Sequence, residues 1–156
     1  MKRYEKFKHL RDKGWKYDPE TGEIFNSWGQ VSNCANKQGY VQCSFAIYQN
    51  ANTKKTYILK GHHFAWYWVN GNVEIHEIDH INHDKKDNRI CNLRNVSKQV
   101  NQWNRICKGY TYHKQTKKYK AQIKVNNKLK YLGLYNTPEK ARQAYLNAKE
   151  KYHVIT

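Results

Sequence analysis

The stretch from Glu77 to Arg105 contains residue types that can bind a metal ion and activate a water molecule. Its polar side chains, in chain order, include Asp79, His80, Asn88, Asn92 and Asn101. Carboxylate and amide oxygens are hard ligands suited to Mg²⁺ or Mn²⁺. An imidazole with an ordinary pKa near ~6.5 is a workable base at neutral pH. Together these groups have the chemistry needed to hydrolyse a phosphodiester bond.

A strand-loop-strand-helix unit is expected to position these groups. The residue pattern predicts a strand over 74–80, a polar loop over 82–89, a strand over 92–96 and a helix over 98–105. Neighbouring residues of a strand point to opposite faces. We therefore expect Asp79 to turn toward the helix and to share a metal ion with the amide oxygen of Asn101. We expect His80 to turn toward solvent, where it can take a proton from the attacking water.

This segment closely resembles the HNH nuclease motif in the form found in phage-borne and homing endonucleases. The matching residues are His62-His63-Phe64-Ala65-Trp66, Asp79-His80-Ile81-Asn82, Asn88-Arg89, Asn92-Leu93-Arg94 and Asn101. The resemblance implies a ββα-metal core in which Asp79 and Asn101 hold the metal. It also implies that His80 is the general base and that Asn92 braces the loop and helps to orient His80.

Three residues in this region allow more than one role. Asn88 either takes part in the site or only shapes the loop. His62 is more readily explained as a packing residue than as a catalytic one. His83 stands where the family usually has glycine, and it could alter the loop or add a phosphate contact.

The charge balance favours a polyanionic partner. The 156 residues include 29 Lys and Arg against 12 Asp and Glu, for a formal net charge of +17. The simplest such partner is nucleic acid, and we expect double-stranded DNA. An acidic membrane surface is the rival, but the chain lacks a run of roughly 18 apolar residues. Its mean hydropathy is -1.08.

Cysteine spacing and the amino terminus bear on metal type and location. The four cysteines, Cys34, Cys43, Cys91 and Cys107, form no CxxC pair, so we expect free thiols and no zinc. The first residues lack the apolar stretch of a signal peptide. We therefore expect a cytoplasmic protein, located in the host cytoplasm if a phage encodes it.

The last third of the chain predicts a small basic sheet and a helix. Acidic residues are scarce there, and apolar residues alternate with Lys and Gln over 119–125. Strands are predicted over 109–114, 119–125 and 128–132, followed by a helix that begins after Thr137. One face of the sheet should pack on the helix, and the basic face should remain open.

This region resembles the Apetala-type, or ethylene-response-factor-like, DNA-binding domain. The matching residues are Gly109-Tyr110, Tyr119-Lys120-Ala121-Gln122-Ile123, Leu132-Gly133-Leu134-Tyr135, Thr137-Pro138-Glu139, Ala141 and Ala144-Tyr145. The resemblance implies that the sheet contacts DNA. The predicted contacts are Tyr112, His113, Lys118, Lys120, Gln122, Lys124, Lys128 and Lys130, with Arg89 and Arg105 from the central segment. The alternative is that these lysines form only a solvated face.

The sequence therefore predicts an α+β protein with three parts. These are a strand-rich region over 1–61, an HNH nuclease core over 62–107, and a three-stranded antiparallel sheet packed on one helix over 108–156. Within 1–61, strands are predicted over 38–46 and 56–60, with a polar loop over 49–55.

The expected activity is that of a site-preferring DNA endonuclease that depends on Mg²⁺ or Mn²⁺. A monomer should nick one strand, and a dimer could cut both. Two alternatives remain open. One is a sequence-specific DNA-binding regulator that does not cleave, and the other is a protein that binds or cuts RNA.

Overall fold

The computed structural model describes residues 2–32, 34–50, 53–72 and 76–153. Within these residues the chain forms four α-helices and nine β-strands. The strands form small antiparallel sheets, which confirms the predicted α+β class. The chain divides into two compact units, Met1–Lys98 and Gln99–Thr156. The predicted three-part division at 61/62 and 107/108 stays a prediction.

The first unit contains two helices and three two-stranded sheets. Its helices are α1 (Arg3–Asp12) and α2 (Gly61–Asn70). Its strand pairs are β1 (Lys16–Tyr17) with β2 (Ile24–Phe25), β3 (Gln42–Asn50) with β4 (Thr53–Lys60), and β5 (Glu77–His80) with β6 (Leu93–Val96). A short 3-10 helix, Ile90–Asn92, leads into β6.

One apolar core joins these elements. Phe7 and Leu10 of α1 pack with Phe64 of α2, and Ile78 and Leu93 bring the β5–β6 hairpin into the same cluster. All five side chains are buried. Removing this much apolar surface from water stabilises the unit and holds the hairpin against α2. Asp79 and His80, which lie on β5, are therefore carried by an element that is anchored in the core.

One prediction in this unit is wrong, and another falls partly outside the described residues. The predicted loop over 49–55 is largely strand, because β3 continues to Asn50 and β4 begins at Thr53. Polar side chains on exposed strand positions give the same composition as a loop, which explains the error. The predicted start of the next strand, Glu74 and Ile75, lies outside the described residues, and β5 begins at Glu77.

The second unit contains a three-stranded antiparallel sheet and helix α4. The helix α3 (Lys98–Asn104) begins at the boundary and is followed by β7 (Tyr110–His113), β8 (Lys118–Val125), β9 (Lys128–Tyr135) and α4 (Pro138–Tyr152). The strand order is β7-β8-β9. Asn126 and Asn127 both have positive φ, 49° and 63°, as the tight turn between β8 and β9 requires.

Helix α4 begins and packs as its sequence predicts. The hydroxyl oxygen of Thr137 accepts a hydrogen bond from the Lys140 backbone amide at 3.4 Å, and Pro138 occupies the first turn. Tyr145 and Ala148 of α4 pack on Ile123 of β8. The sheet therefore has one face covered by α4, in agreement with the prediction. Among the described residues, none of the helices is long and apolar enough to cross a membrane.

Candidate active site

Strand β5 places Asp79 and His80 on opposite faces of the hairpin. Across the hairpin, Asp79 pairs with Arg94 and His80 pairs with Leu93. His80 points to the same side as Ile78, and it is only 3% exposed. The expectation that His80 faces solvent is therefore wrong. Alternate residues of a strand point to the same side, so a strand that places Ile78 in the core also places His80 there. The alternation that puts Asp79 and His80 on opposite faces therefore also buries His80.

Aromatic rings and Asn88 enclose the imidazole of His80. The ring of His62 lies edge-on at 4.9 Å between centroids, and the ring of Tyr40 lies at 6.0 Å. The Nε2 atom of His80 is 3.2 Å from Oδ1 of Asn88. Burial lowers the pKa of His80, while its bond to Asn88 and the charge of Asp79 act in the opposite direction. The net shift favours the neutral imidazole, which is the form that accepts a proton.

Arg94 orients the carboxylate of Asp79. The Oδ2 atom of Asp79 accepts hydrogen bonds from Arg94 at 3.1 Å from Nε and 2.8 Å from Nη2. Charge-assisted bonds of this kind are short and directional, so they fix the position of the carboxylate. A metal ion bound at Asp79 would therefore share its ligand with a neighbouring guanidinium group.

Asn92 closes the loop between β5 and β6. Its Nδ2 atom donates to Oδ1 of Asn82 at 3.0 Å and to the Asp87 carbonyl oxygen at 2.8 Å. Its Oδ1 atom accepts from the Asn82 backbone amide at 3.0 Å. These three bonds link Asn92 to Asn82 and Asp87 of the loop, and the role that the resemblance implies for Asn92 stays a prediction.

A basic cluster around Tyr40 lies beside the buried histidines. The Nζ atoms of Lys60 and Lys85 lie 4.7 Å and 4.9 Å from the centroid of the Tyr40 ring. Lys85 also donates to the Gln38 carbonyl oxygen at 2.9 Å. Sequence analysis missed this cluster because its members come from three separate segments. Only the general abundance of lysine and tyrosine pointed to such cation–π contacts.

The remaining central residues that were predicted as ligands or DNA contacts lie in different places. Asn101 lies in α3, in the second unit, so its sharing of a metal with Asp79 stays a prediction. Arg89 donates from Nε and Nη2 to the two carboxylate oxygens of Asp87 at 2.8 Å and 2.7 Å. These bonds lower the pKa of Asp87 to about 2. Arg105 is exposed.

Asp79 offers a carboxylate, a ligand type that hard divalent ions such as Mg²⁺ prefer. Within the described residues, no group of three or more His, Cys, Asp or Glu side chains is placed to hold a metal ion. Mg²⁺ is commonly bound through one or two carboxylates and substrate phosphates, with water completing the shell. Asp79 supplies one such carboxylate, and its role as a metal ligand stays a prediction.

The second unit places the predicted DNA contacts on two faces of its sheet. Residues that pair across neighbouring strands carry their side chains on the same face. The face opposite α4 carries Lys118, Lys120, Gln122 and Lys124 of β8, and His113, which pairs with Lys118. Leu129 and Tyr131 of β9 lie on the same face, and both are exposed. We call this the open face of the sheet.

The other predicted contacts lie on the face that packs on α4. Tyr112 pairs with Tyr119, whereas Lys128 and Lys130 pair with Val125 and Ile123. Lys130 donates from Nζ to the Tyr152 hydroxyl oxygen at 2.6 Å, which ties it to α4. Strand register explains why these contacts lie on two faces. Successive side chains of a strand point to opposite faces, and the pairing of β9 with β8 decides which residues of β9 face α4.

His62 is a buried histidine that should make the first unit sensitive to acid. It is 2% exposed, and its Nδ1 atom has no hydrogen-bond partner within the described structure. Burial lowers the pKa of His62 to about 2, and the nearby cationic or titratable groups act in the same direction. Those groups are His63, His80, Lys60 and Arg3.

We expect the free energy of unfolding to fall as the pH drops below the pKa of a histidine in the unfolded chain. Between about pH 6.5 and the folded pKa, the unfolded state binds the proton that the folded state excludes. The loss attributable to His62 should approach about 1.4 kcal/mol per pH unit. Urea titrations measure this loss in the wild type, in His62→Gln and in the exposed-residue control His83→Gln across this pH range. Equal pH slopes in both variants would contradict the assignment.

One comparison with known proteins bears on this site. Residues 60–103 match the family model described as HNH endonuclease. The matched segment runs from the last residue of β4 through α2 and the β5–β6 hairpin into α3. It contains Asp79, His80, Asn88, Asn92 and Asn101. The match confirms the predicted HNH resemblance of this segment and supports a nuclease that binds DNA.

No curated protein matches this chain, and no solved structure matches it. The resemblance of the last third to the Apetala-type domain stays a prediction, as do the phage or homing type and the role of each site residue.

Proposed function

We propose that this protein is a metal-dependent DNA endonuclease in which His80 is the general base. The observation that carries the proposal is the arrangement on β5. A buried imidazole whose neutral form is favoured directly follows an oriented carboxylate in the chain, inside the segment that matches the HNH endonuclease family. A neutral imidazole can accept a proton from water, and an adjacent carboxylate can hold a hard cation.

Each site residue has a distinct role in this proposal. His80 accepts a proton from the attacking water, and Asn92 keeps the loop after β5 closed. Asp79 and Asn101 would hold Mg²⁺ or Mn²⁺. When bound, such an ion would neutralise charge on the phosphate and stabilise the leaving oxygen. Arg94 orients Asp79 and offsets part of its charge.

Two basic surfaces support binding to duplex DNA. Lys60 and Lys85 lie around Tyr40, whose ring is 6.0 Å from that of His80, so they can contact phosphates near the reacting bond. The open face of the second unit combines lysines with Gln122, which can bond to base edges. The proposed enzyme is therefore site-preferring. We further propose that it is of phage or homing type, acts in the cytoplasm, and nicks one strand as a monomer.

Cleavage of supercoiled plasmid tests the proposal directly. The purified protein would be incubated with plasmid carrying phage-derived inserts in Mg²⁺, in Mn²⁺ or in EDTA. We expect open-circle product with either metal and none in EDTA. Linear product at early times would instead indicate paired active sites. Binding without cleavage in any metal would refute the nuclease proposal and leave a DNA-binding regulator. Competition by RNA would identify an RNA-directed protein.

The two faces of the sheet provide a matched test of DNA contact. Each phosphate contact adds roughly 0.9 to the slope of log affinity against log salt on duplex DNA. Replacing Lys118, Lys120 and Lys124 by alanine should therefore reduce the magnitude of that slope by roughly 2.7. The control is the Lys128→Ala, Lys130→Ala double variant, whose residues lie on the α4 side. Fluorescence anisotropy at several salt concentrations measures both. The same slope change in the two variants would contradict binding through the open face.

A further inference from the structure

We propose that Asn88 is the positioning residue that sets the ring orientation and the tautomer of His80. The resemblance to the HNH family assigns orientation of the histidine to Asn92 and leaves Asn88 open. This inference deepens the proposed function, and it rests on the role of His80 as the base. It is carried by the contacts of Asn88 and their contrast with those of Asn92.

The contact between Asn88 and His80 is buried on both sides. Oδ1 of Asn88 lies 3.2 Å from Nε2 of His80, and the two residues are 1% and 3% exposed. An amide oxygen only accepts hydrogen bonds, so the proton of the neutral imidazole must be on Nε2. Nδ1 then carries the lone pair, and it is the atom that accepts a proton from water. The contact therefore determines which nitrogen is the base.

Packing alone does not account for the burial of Asn88. Its Nδ2 atom is buried and has no hydrogen-bond partner within the described structure. Burying an unsatisfied amide group costs free energy, and an apolar side chain would avoid that cost. What the amide provides at this position is the hydrogen bond to His80. A residue that only shaped the loop would not need a buried amide at this position.

The backbone of Asn88 is held by elements far away in the chain. The Tyr17 hydroxyl of β1 donates to the Asn88 carbonyl oxygen at 2.7 Å. Gly22 has φ of +77°, and a Cβ there would lie 2.9 Å from the Asn88 carbonyl carbon. A Cβ on Gly61 would lie 3.2 Å from Nδ2 of Asn88. The close approaches of Gly22 and Gly61 and the hydrogen bond from Tyr17 thus fix the backbone and the side chain of Asn88. The amide therefore has one orientation toward His80.

Asn92 has a different set of contacts. Its side chain uses both amide atoms on Asn82 and Asp87. Its effect on His80 is therefore transmitted through the loop, whereas Asn88 touches the imidazole directly. The two asparagines have separable roles, one closing the loop and the other holding the base.

The test uses nitrogen NMR of the full-length protein at mildly alkaline pH, where the imidazole is neutral. Long-range proton–nitrogen spectra distinguish the two tautomers of His80. We expect the Nε2–H tautomer in the wild type and in Asn92→Ala. We expect a mixture of tautomers, or Nδ1–H, in Asn88→Ala and in Asn88→Leu, which removes the acceptor but keeps the number and branching of the side-chain heavy atoms. An Nδ1–H tautomer in the wild type would overturn the proposal even if both Asn88 variants failed to fold.

Cleavage kinetics supply the second readout. In Asn88→Ala, kcat should fall by about 10–100-fold, by analogy with the loss of an outer-shell partner that orients a metal-ligating histidine, while KM for DNA is unchanged. A rise in KM with kcat unchanged would also overturn the proposal. If the wild type showed the expected tautomer and Asn88→Ala lost it, but no plasmid was cut, the positioning role would stand and the nuclease proposal would fail. If DNA was cut and Asn88→Ala had the same His80 tautomer as the wild type, the nuclease proposal would stand and the positioning role of Asn88 would fail.

Discussion

Replacing His80 by alanine should lower the rate of DNA cleavage by about two to four orders of magnitude, the usual contribution of a positioned general base. DNA affinity should be unchanged, because His80 is buried and the proposed phosphate contacts lie elsewhere. Single-turnover nicking of supercoiled plasmid measures the rate, and anisotropy measures the affinity. The variant must be shown to be folded, because removing a buried ring leaves a cavity beside Tyr40 and His62.

Two further variants make this experiment specific to the imidazole. His80→Gln keeps a donor for Asn88 but has no basic nitrogen, so it should be as slow as His80→Ala. His83→Ala changes an exposed histidine of the adjacent loop, and it should cut at the wild-type rate. Cleavage by His80→Ala at the wild-type rate would show that the base is another group. A loss of rate that is equal in all three variants would point to loop disruption instead.

Replacing Gly109 by alanine should destabilise the second unit by roughly 2–5 kcal/mol. Gly109 has φ of +74°, and a Cβ at that position would overlap the ring of Tyr145. The left-handed backbone costs a non-glycine residue roughly 1–2 kcal/mol, and forcing a methyl group into a packed site adds roughly 1–3 kcal/mol. Because Tyr145 packs on Ile123, its displacement would loosen the contact between α4 and the sheet.

Thermal and urea unfolding of the two variants Gly109→Ala and Gly71→Ala separate the two causes. Gly71 also has positive φ, +69°, but a Cβ there would meet nothing within 4 Å. Gly71→Ala should therefore show only the backbone cost. Gly109→Ala should in addition weaken DNA binding, because the open face depends on the folded sheet. Equal destabilisation by the two variants would show that Tyr145 adjusts without cost.

Several elements near the site were predictable because their signals are local. The alternation of Tyr119, Ala121 and Ile123 with polar residues predicted β8, and its buried face is the one that meets α4. The sequence Thr137-Pro138 predicted the start of α4, because a hydroxyl cap and a proline in the first turn act within a few residues. The β5–β6 hairpin and α3 were also predicted, within a few residues at each end.

The sequence by itself therefore determined the chemical groups on β5, the HNH spacing and the local helix and strand signals. Only the tertiary structure decided that His80 faces inward, because that depends on which side of the hairpin meets the core. The same is true of the contact between Asn88 and His80, which requires Tyr17 and Gly22 to approach from distant segments. It is also true of the assignment of Lys128 and Lys130 to the α4 face, which follows from strand register. Local patterns report what a residue can do, whereas burial, register and long-range contacts determine what it meets.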